Sequence, residues 1–287
     1  MSVLDLKMEG RSGCELVIEY QNSHAIIRKY SSSVKYNHRL IKQAEKQRNF
    51  YFSNQTQAFF TPEVLEINNE LNDISWFTMN YVFAEKYSDY LEQISVKQLK
   101  KLIQTFIQYL DQSFTNAEKV QVKEVIFLNK FSEIRTNIIQ NQLPEADYFL
   151  QVIHQLENNI PNTSLPIGTC HGDFTFSNIL FDDHEMFLLD FLDSFIESPM
   201  IDLVKLRQDT CYKWSIMLEK QMPQYKVNKL TQVFDYFDKE LEAYCTNLKL
   251  QDWYVFLQAV NLLRIVPYLK IQTEILFIKN ALKQLLP

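Results

Sequence analysis

Three side chains able to handle protons and metal ions stand close together between His171 and Asp190. Asp173 follows the pair His171-Gly172, Asn178 stands five residues further on, and Asp190 closes the stretch. Carboxylates and amide carbonyls are hard oxygen donors of the kind that Mg²⁺ takes. A nucleotide triphosphate needs such an ion against its phosphates. A hydroxyl acceptor needs a carboxylate to orient it and take its proton. Phosphoryl transfer uses these parts in this order: an Asp as base, an Asn five residues on that reaches a metal, and a later Asp that holds it. Asp173, Asn178 and Asp190 fit those roles. The bland alternative is a chance His-Gly-Asp turn before a hairpin, with Asp190 as a strand-end cap. A spaced set weighs against chance more than a lone motif does.

The elements that must position these groups are legible around them. Ile179 to Phe181 and Met186 to Leu189 are short apolar runs, and the polar stretch Asp182 to Glu185 between them predicts a hairpin with its tip in water. With that context, HGDFTFSN resembles the HGDxxxxN catalytic loop of the aminoglycoside phosphotransferase and choline kinase superfamily. LLDFLD is similar to the metal-binding segment of that family. Pro199-Met200-Ile201-Asp202-Leu203 resembles the Pro-x-x-Asp-Leu that follows it, with Ser198 where an Asp is common. The resemblance implies small-molecule kinases with a protein-kinase-like fold. It implies Asp173, Asn178 and Asp190 as catalytic residues, with Asn178 and Asp190 on the metal. Asp202 is then structural and braces the loop.

Upstream, residues 1–82 read as mostly strand with one helix and form the expected nucleotide-binding lobe. Gly10-Arg11-Ser12-Gly13 is a turn between strand patterns, either a plain hairpin turn or a nucleotide lid whose N–H groups approach phosphates. Gly10, Ser12 and Gly13 are therefore nucleotide-site candidates. The strand Ala25-Ile26-Ile27-Arg28-Lys29 should carry the phosphate-binding cation. The Val-Ala-Ile-Lys register favours Arg28, and Lys29 is the rival on the other face. Asn37 to Phe52 has helical periodicity, with Leu40, Ile41 and Ala44 on one face. Glu45 is its only acid and the candidate to brace the cation, or else a solvated surface residue. Tyr81 and Val82 fall in the lobe connection, whose backbone would read the adenine edge.

Residues 83–287 read as a larger, mainly helical catalytic and acceptor-binding lobe. Ser95 to Phe114 carries apolar residues at helical spacing. Helices are also expected over 122–142, 143–158, 203–222, 227–248 and 252–286, the last broken by Pro267. The short gap from Asp190 to Pro199 leaves no room for a peptide-binding activation loop, which argues for a small acceptor. Asp193 and Glu197 are acceptor-binding candidates by proximity to Asp190. Tyr212, Trp214, Tyr244, Trp253 and Tyr254 fit either a cation–π pocket or plain core.

Composition bounds the rest. The 287 residues are 46% hydrophobic and 22% charged, which suits a globular chain with a sizeable core. A net charge of −6 argues against nucleic acid as a partner. The four cysteines stand singly, without metal-binding spacing, and read as reduced thiols. No signal pattern and no run near membrane-span length is visible. The expectation is a cytoplasmic protein without membrane or nucleic-acid partners, its oligomeric state open. The fold expected is α+β and two-lobed, protein-kinase-like: an N-terminal antiparallel sheet with one helix, then the helical lobe. The function expected is an ATP- and Mg²⁺-dependent O-phosphotransferase. It would act on a small-molecule hydroxyl of an aminoglycoside, a choline-like amino alcohol or a sugar, with GTP left open as donor. The alternatives are a non-catalytic pseudokinase binding module, and a kinase of a protein or glycan.

Overall fold

The computed structural model describes residues 8–9, 13–21, 24–53, 58–69, 72–183, 185–219 and 221–286. In chain order the first elements are β1 (Met8–Glu9), β2 (Glu15–Gln21), β3 (His24–Tyr30), α1 (Asn37–Ser53), β4 (Phe59–Phe60), β5 (Val64–Asn68), β6 (Trp76–Asn80), β7 (Glu85–Lys86) and α2 (Tyr87–Gln93). Then follow α3 (Val96–Thr115), β8 (Glu118–Val120), α4 (Val125–Gln140), α5 (Ala146–Glu157), β9 (Leu165–Ile167), β10 (Ile179–Asp182) and β11 (Glu185–Leu188). The chain ends in helices α6 (Pro199–Thr210), α7 (Trp214–Leu218), α8 (Gln224–Leu248), α9 (Gln251–Ile265) and α10 (Gln272–Leu285). This is the two-lobed, kinase-like fold expected: an antiparallel N-terminal sheet and a helical C-terminal part. No helix among the described residues is long and apolar enough to cross a membrane.

The described residues form two compact units. The first runs through Gln93 and also takes in His171–Asp173 and Ser177–Asp193. The second comprises Ile94–Cys170, Phe174–Phe176 and the chain from Ser194 onward.

In the first unit an antiparallel sheet has the order β1-β2-β3-β6-β5. Helix α1 covers one face, and Leu40 and Ala44 bury against Cys14, Val64, Phe77 and Met79. That is the face its periodicity predicts. A second sheet, of order β4-β11-β10-β7, holds the hairpin. Phe59–Phe60 runs parallel to β11, and β7 pairs antiparallel with β10. Neither flanking strand was legible, because each is only two residues long. Tyr90 on α2 stacks on Phe181, with ring centroids 4.6 Å apart, and its hydroxyl donates to the Asp183 carbonyl.

In the second unit α6 is buried at every position from Pro199 to Thr210. Ser198 caps its start by accepting from the Met200 N–H, and Pro199 takes the first helical position, where a missing N–H costs nothing. Polar residues on so buried a helix must be paired. Arg207 donates from Nε and Nη2 to the two oxygens of Asp238, at 2.9 and 2.8 Å, and Thr210 adds a third bond to the same carboxylate. Burial opposes the Arg207 charge, and the Asp238 carboxylate more than offsets this and raises its pKa. The single helix expected over 203–222 is two: the chain turns at Cys211–Lys213, and Lys213 has a left-handed φ of +61°. Asp209 accounts for the break, since its Oδ1 accepts from the Ser215 N–H in the first turn of α7. Tyr212, Trp214, Tyr244, Trp253 and Tyr254 are all buried in this unit and pack as core.

Candidate active site

The candidate catalytic stretch leaves β9 and reaches His171, which is fully buried. Gly172 follows with φ of +89°, a conformation that costs a side-chain-bearing residue about 1–2 kcal/mol. The turn brings the Asp173 N–H back onto His171 Nδ1 at 3.2 Å. A nitrogen that accepts there carries no proton, so the ring proton is on Nε2, which donates to the Leu189 carbonyl at 2.8 Å. The Leu192 N–H donates to the His171 carbonyl, which ties the catalytic loop to the segment after Asp190. Burial holds the imidazole well below the ordinary histidine range, at about 4, and the Lys46 charge adds to this against the pull of Asp173. His171 is a neutral strut.

Asn178 lies at the entry to β10. Its Nδ2 donates to the Asp173 carbonyl at 2.9 Å and to Asp173 Oδ2 at 3.0 Å. One amide therefore fixes both the backbone and the carboxylate of Asp173. The Asn178 amide oxygen takes no hydrogen bond among the described residues.

Asp190 follows β11 with φ of +58°. Asp is among the few residues with a side chain that visit this region, and such strain gathers at functional positions. Its Oδ1 accepts from Lys29 Nζ at 2.8 Å. Lys29 is buried, whereas the Asp190 side chain is 45% exposed. Burial pushes the Lys29 ammonium down, but the Asp190 charge and hydrogen bond outweigh it and raise the pKa above the ordinary lysine value. Next in sequence, Phe191 is buried against Phe50 of α1 and His171, at ring distances of 5.2 and 4.3 Å. Lys46 of α1 donates to the Leu192 carbonyl at 2.8 Å. Thr61 donates to the Leu188 carbonyl at 3.0 Å and fixes the end of β11.

Of the two strand cations, Lys29 meets Asp190 and Arg28 does not. Strand alternation turns Arg28 to the opposite face, where it forms a bidentate pair with Glu19 and lies 3.9 Å over the Trp76 ring. Glu45 meets neither cation: it is exposed and makes no ion pair among the described residues. The buried polar side chains of α1 are the amides Asn37, Gln43 and Gln47. Gln43 donates to the Tyr36 hydroxyl and Gln47 to the Pro62 carbonyl. Gly10 and Ser12 lie outside the described residues. Gly13 is described and has φ of +71°. The Tyr81 N–H extends the sheet by donating to the Ala25 carbonyl, and Val82 beyond it makes no hydrogen bond among the described residues.

The two acceptor candidates are both engaged. Asp193 accepts from Lys42 at 3.4 Å in a half-exposed pair. Glu197 accepts from the Ser194 N–H at 3.2 Å and from Cys170 Sγ at 3.3 Å, which closes its own loop. Asp209 is the residue that sequence reasoning missed. Besides capping α7, its Oδ2 accepts from the Phe176 N–H at 2.7 Å, between Asp173 and Asn178. Its signal was faint: an acid on a helix without a polar face.

As metal donors, the Asn178 amide oxygen and the Asp190 carboxylate are hard oxygens. No group of three or more His, Cys, Asp or Glu side chains among the described residues forms a metal cage. A sparse oxygen set fits Mg²⁺, which keeps several waters and arrives bound to phosphates.

Residues 19–227 match the model of the phosphotransferase enzyme family, APH. The chain belongs to that family. It is thus a phosphotransferase by membership, and the candidate stretch from His171 to Asp190 lies inside the matched span. No curated protein matches the chain. Among solved structures, a thermostable mutant of the aminoglycoside phosphotransferase APH(4)-Ia, in ternary complex with AMP-PNP and hygromycin B, is similar at TM-score 0.62 and 12% identity. The match covers 99% of this chain and 94% of that one. ADP-bound aminoglycoside phosphotransferase APH(2'')-Ib gives TM-score 0.56 at 15% identity, over 97% of this chain and 91% of that one. A glucosamine kinase gives TM-score 0.56 at 12% identity, over 98% and 77% respectively. At such identities these likenesses speak for the fold.

Proposed function

We propose that this phosphotransferase moves the γ-phosphate of ATP to a hydroxyl of a small molecule, with Mg²⁺ as the bound ion. The observation that carries the reading is that the Asp173–Asn178 pair and the Lys29–Asp190 pair both lie at the open end of the hairpin, where Asn178 enters β10 and Asp190 follows β11. Residues 1–82 are read as the nucleotide lobe and 83–287 as the acceptor lobe, with Gly13, Tyr81 and Val82 on the nucleotide. Asp173 accepts a hydrogen bond from the acceptor hydroxyl, aligns its oxygen and takes its proton as the new P–O bond forms and the bond from the γ-phosphorus to the bridging oxygen breaks, which leaves ADP. Asn178 holds that carboxylate in one rotamer. Lys29 supplies positive charge to the phosphates. Asn178 and Asp190 would hold Mg²⁺, which neutralises charge on the phosphate oxygens when bound. Catalysis of this kind is positioning plus electrostatic stabilisation.

The acceptor is read as hydroxyl-rich: an aminoglycoside, an amino alcohol or a sugar. Support comes from the bound hygromycin B of one similar structure and from a second glucosamine kinase structure in complex with glucosamine, ADP and phosphate, at TM-score 0.51. The cytoplasm is the compartment where ATP and reduced cysteines meet. The test is ADP release from Mg²⁺-ATP over a panel of aminoglycosides, amino sugars, choline, ethanolamine and simple sugars, with Asp190→Ala as control. Turnover with one acceptor, lost in the control, establishes the reading. Nucleotide affinity absent from the wild type overturns it.

A further inference from the structure

Asp190 is both the carboxylate proposed for the metal and the only carboxylate that pairs with Lys29 among the described residues. The helix that would ordinarily supply a separate counter-ion does not do so. Glu45 faces water, the amides Asn37, Gln43 and Gln47 occupy the buried polar positions, and Lys42 and Lys46 reach from the same helix to Asp193 and Leu192. Lys29 has almost no contact with solvent, so loss of its partner would leave an uncompensated charge in a poorly hydrated place.

We propose that Lys29 acts as a built-in occupant of the metal position, so that Asp190 accepts a divalent cation only when nucleotide phosphates arrive to take Lys29. A lone dication at Asp190 would remove Lys29's counter-ion and add two like charges beside it. Arriving with triphosphate, the same ion comes with anionic oxygens that replace the lost carboxylate. The exchange then keeps both Lys29 and Asp190 paired throughout. The site therefore rejects free metal and selects the metal–nucleotide complex. The inference rests on the functional reading above, and it concerns binding alone.

The probe is Mn²⁺, followed by electron paramagnetic resonance on the intact chain, with and without AMP-PNP. The expected result is that Lys29→Met strengthens Mn²⁺ binding in the absence of nucleotide by about tenfold or more over wild type. Asp190→Asn in the Lys29→Met background should abolish the gain. Lys29→Gln provides a second neutral variant, and thermal melting confirms that each is folded. If neither neutral variant binds free Mn²⁺ more tightly than wild type, the proposal is overturned. If wild type still binds Mn²⁺ with AMP-PNP in that case, the kinase reading survives the loss. If wild type binds no Mn²⁺–AMP-PNP, both readings fall.

Discussion

The Asn178 side chain donates to both the carbonyl oxygen and the carboxylate of Asp173, at 2.9 and 3.0 Å. A single amide thus sets the direction of the proposed base. Asn178→Asp replaces that donor by a second anion against Asp173. It should lower kcat by roughly 100-fold or more, beyond the loss in Asn178→Ala, because repulsion is added to lost orientation. Steady-state kinetics on the two variants checks this order.

Lys29 and Arg28 are neighbours in sequence with opposite faces. Lys29→Met should cost roughly 100-fold in kcat/KM for ATP. Arg28→Met should leave kcat/KM nearly unchanged and cost about 1 kcal/mol of stability through the lost Glu19 pair and Trp76 stacking. Equal kinetic losses in the two variants would refute the assignment by face. Glu45→Gln should be silent in both assays.

His171 makes stability depend on pH in a definite direction. Its folded pKa, about 4, lies below the ordinary 6.5. The contribution is therefore complete above about pH 6.5 and is lost as the pH falls through about 4, to a total of roughly 3 kcal/mol. His171→Asn removes the titrating group. The stability gap between wild type and variant in urea unfolding should shrink from neutral pH down to about 4. A gap that stays constant would sink the neutral-strut account.

Asp209 satisfies two backbone N–H groups from a fully buried position. Asp209→Ala leaves both without their acceptor and should destabilise the fold by about 2–5 kcal/mol. Activity should fall as well, because the Phe176 N–H lies three residues from Asp173. Asp238→Asn offers a comparison: it weakens the Arg207 pair without touching Phe176. It should lower the denaturation midpoint yet keep kcat near wild type.

Much of this was readable from the chain. The hairpin, the face of α1, the helix beginning near Ser95 and the Asp173–Asn178–Asp190 order all follow from local pattern, and local pattern is what a sequence displays. The choice between Arg28 and Lys29 did not follow. Alternation puts them on opposite faces, but which face meets Asp190 depends on residues more than 150 positions away. Glu45 looked like a partner because it was the sole acid on its helix. Composition names a residue but not the direction in which the helix is turned, and α1 turns its amides inward. Asp209 was hidden because α6 is buried all round, so no amphipathic stripe marked which polar residue mattered. The strands β4 and β7 are too short to show alternation at all.

The sheet of order β4-β11-β10-β7 joins residues 59–60 and 85–86 to residues 179–188. On the ribosome those outer strands emerge long before the hairpin that must lie between them. At about 5–20 residues per second, some 5–20 seconds pass with their edges unpaired. The first five-stranded sheet can form early from local partners, but the part that carries Asp190 cannot. Nascent chains of this protein thus pass through a stage in which Phe59 and Phe60 lack the strand they pair with, an open edge of the kind that favours aggregation. The unit that pairs Lys29 with Asp190 is completed only when about two-thirds of the chain has been made.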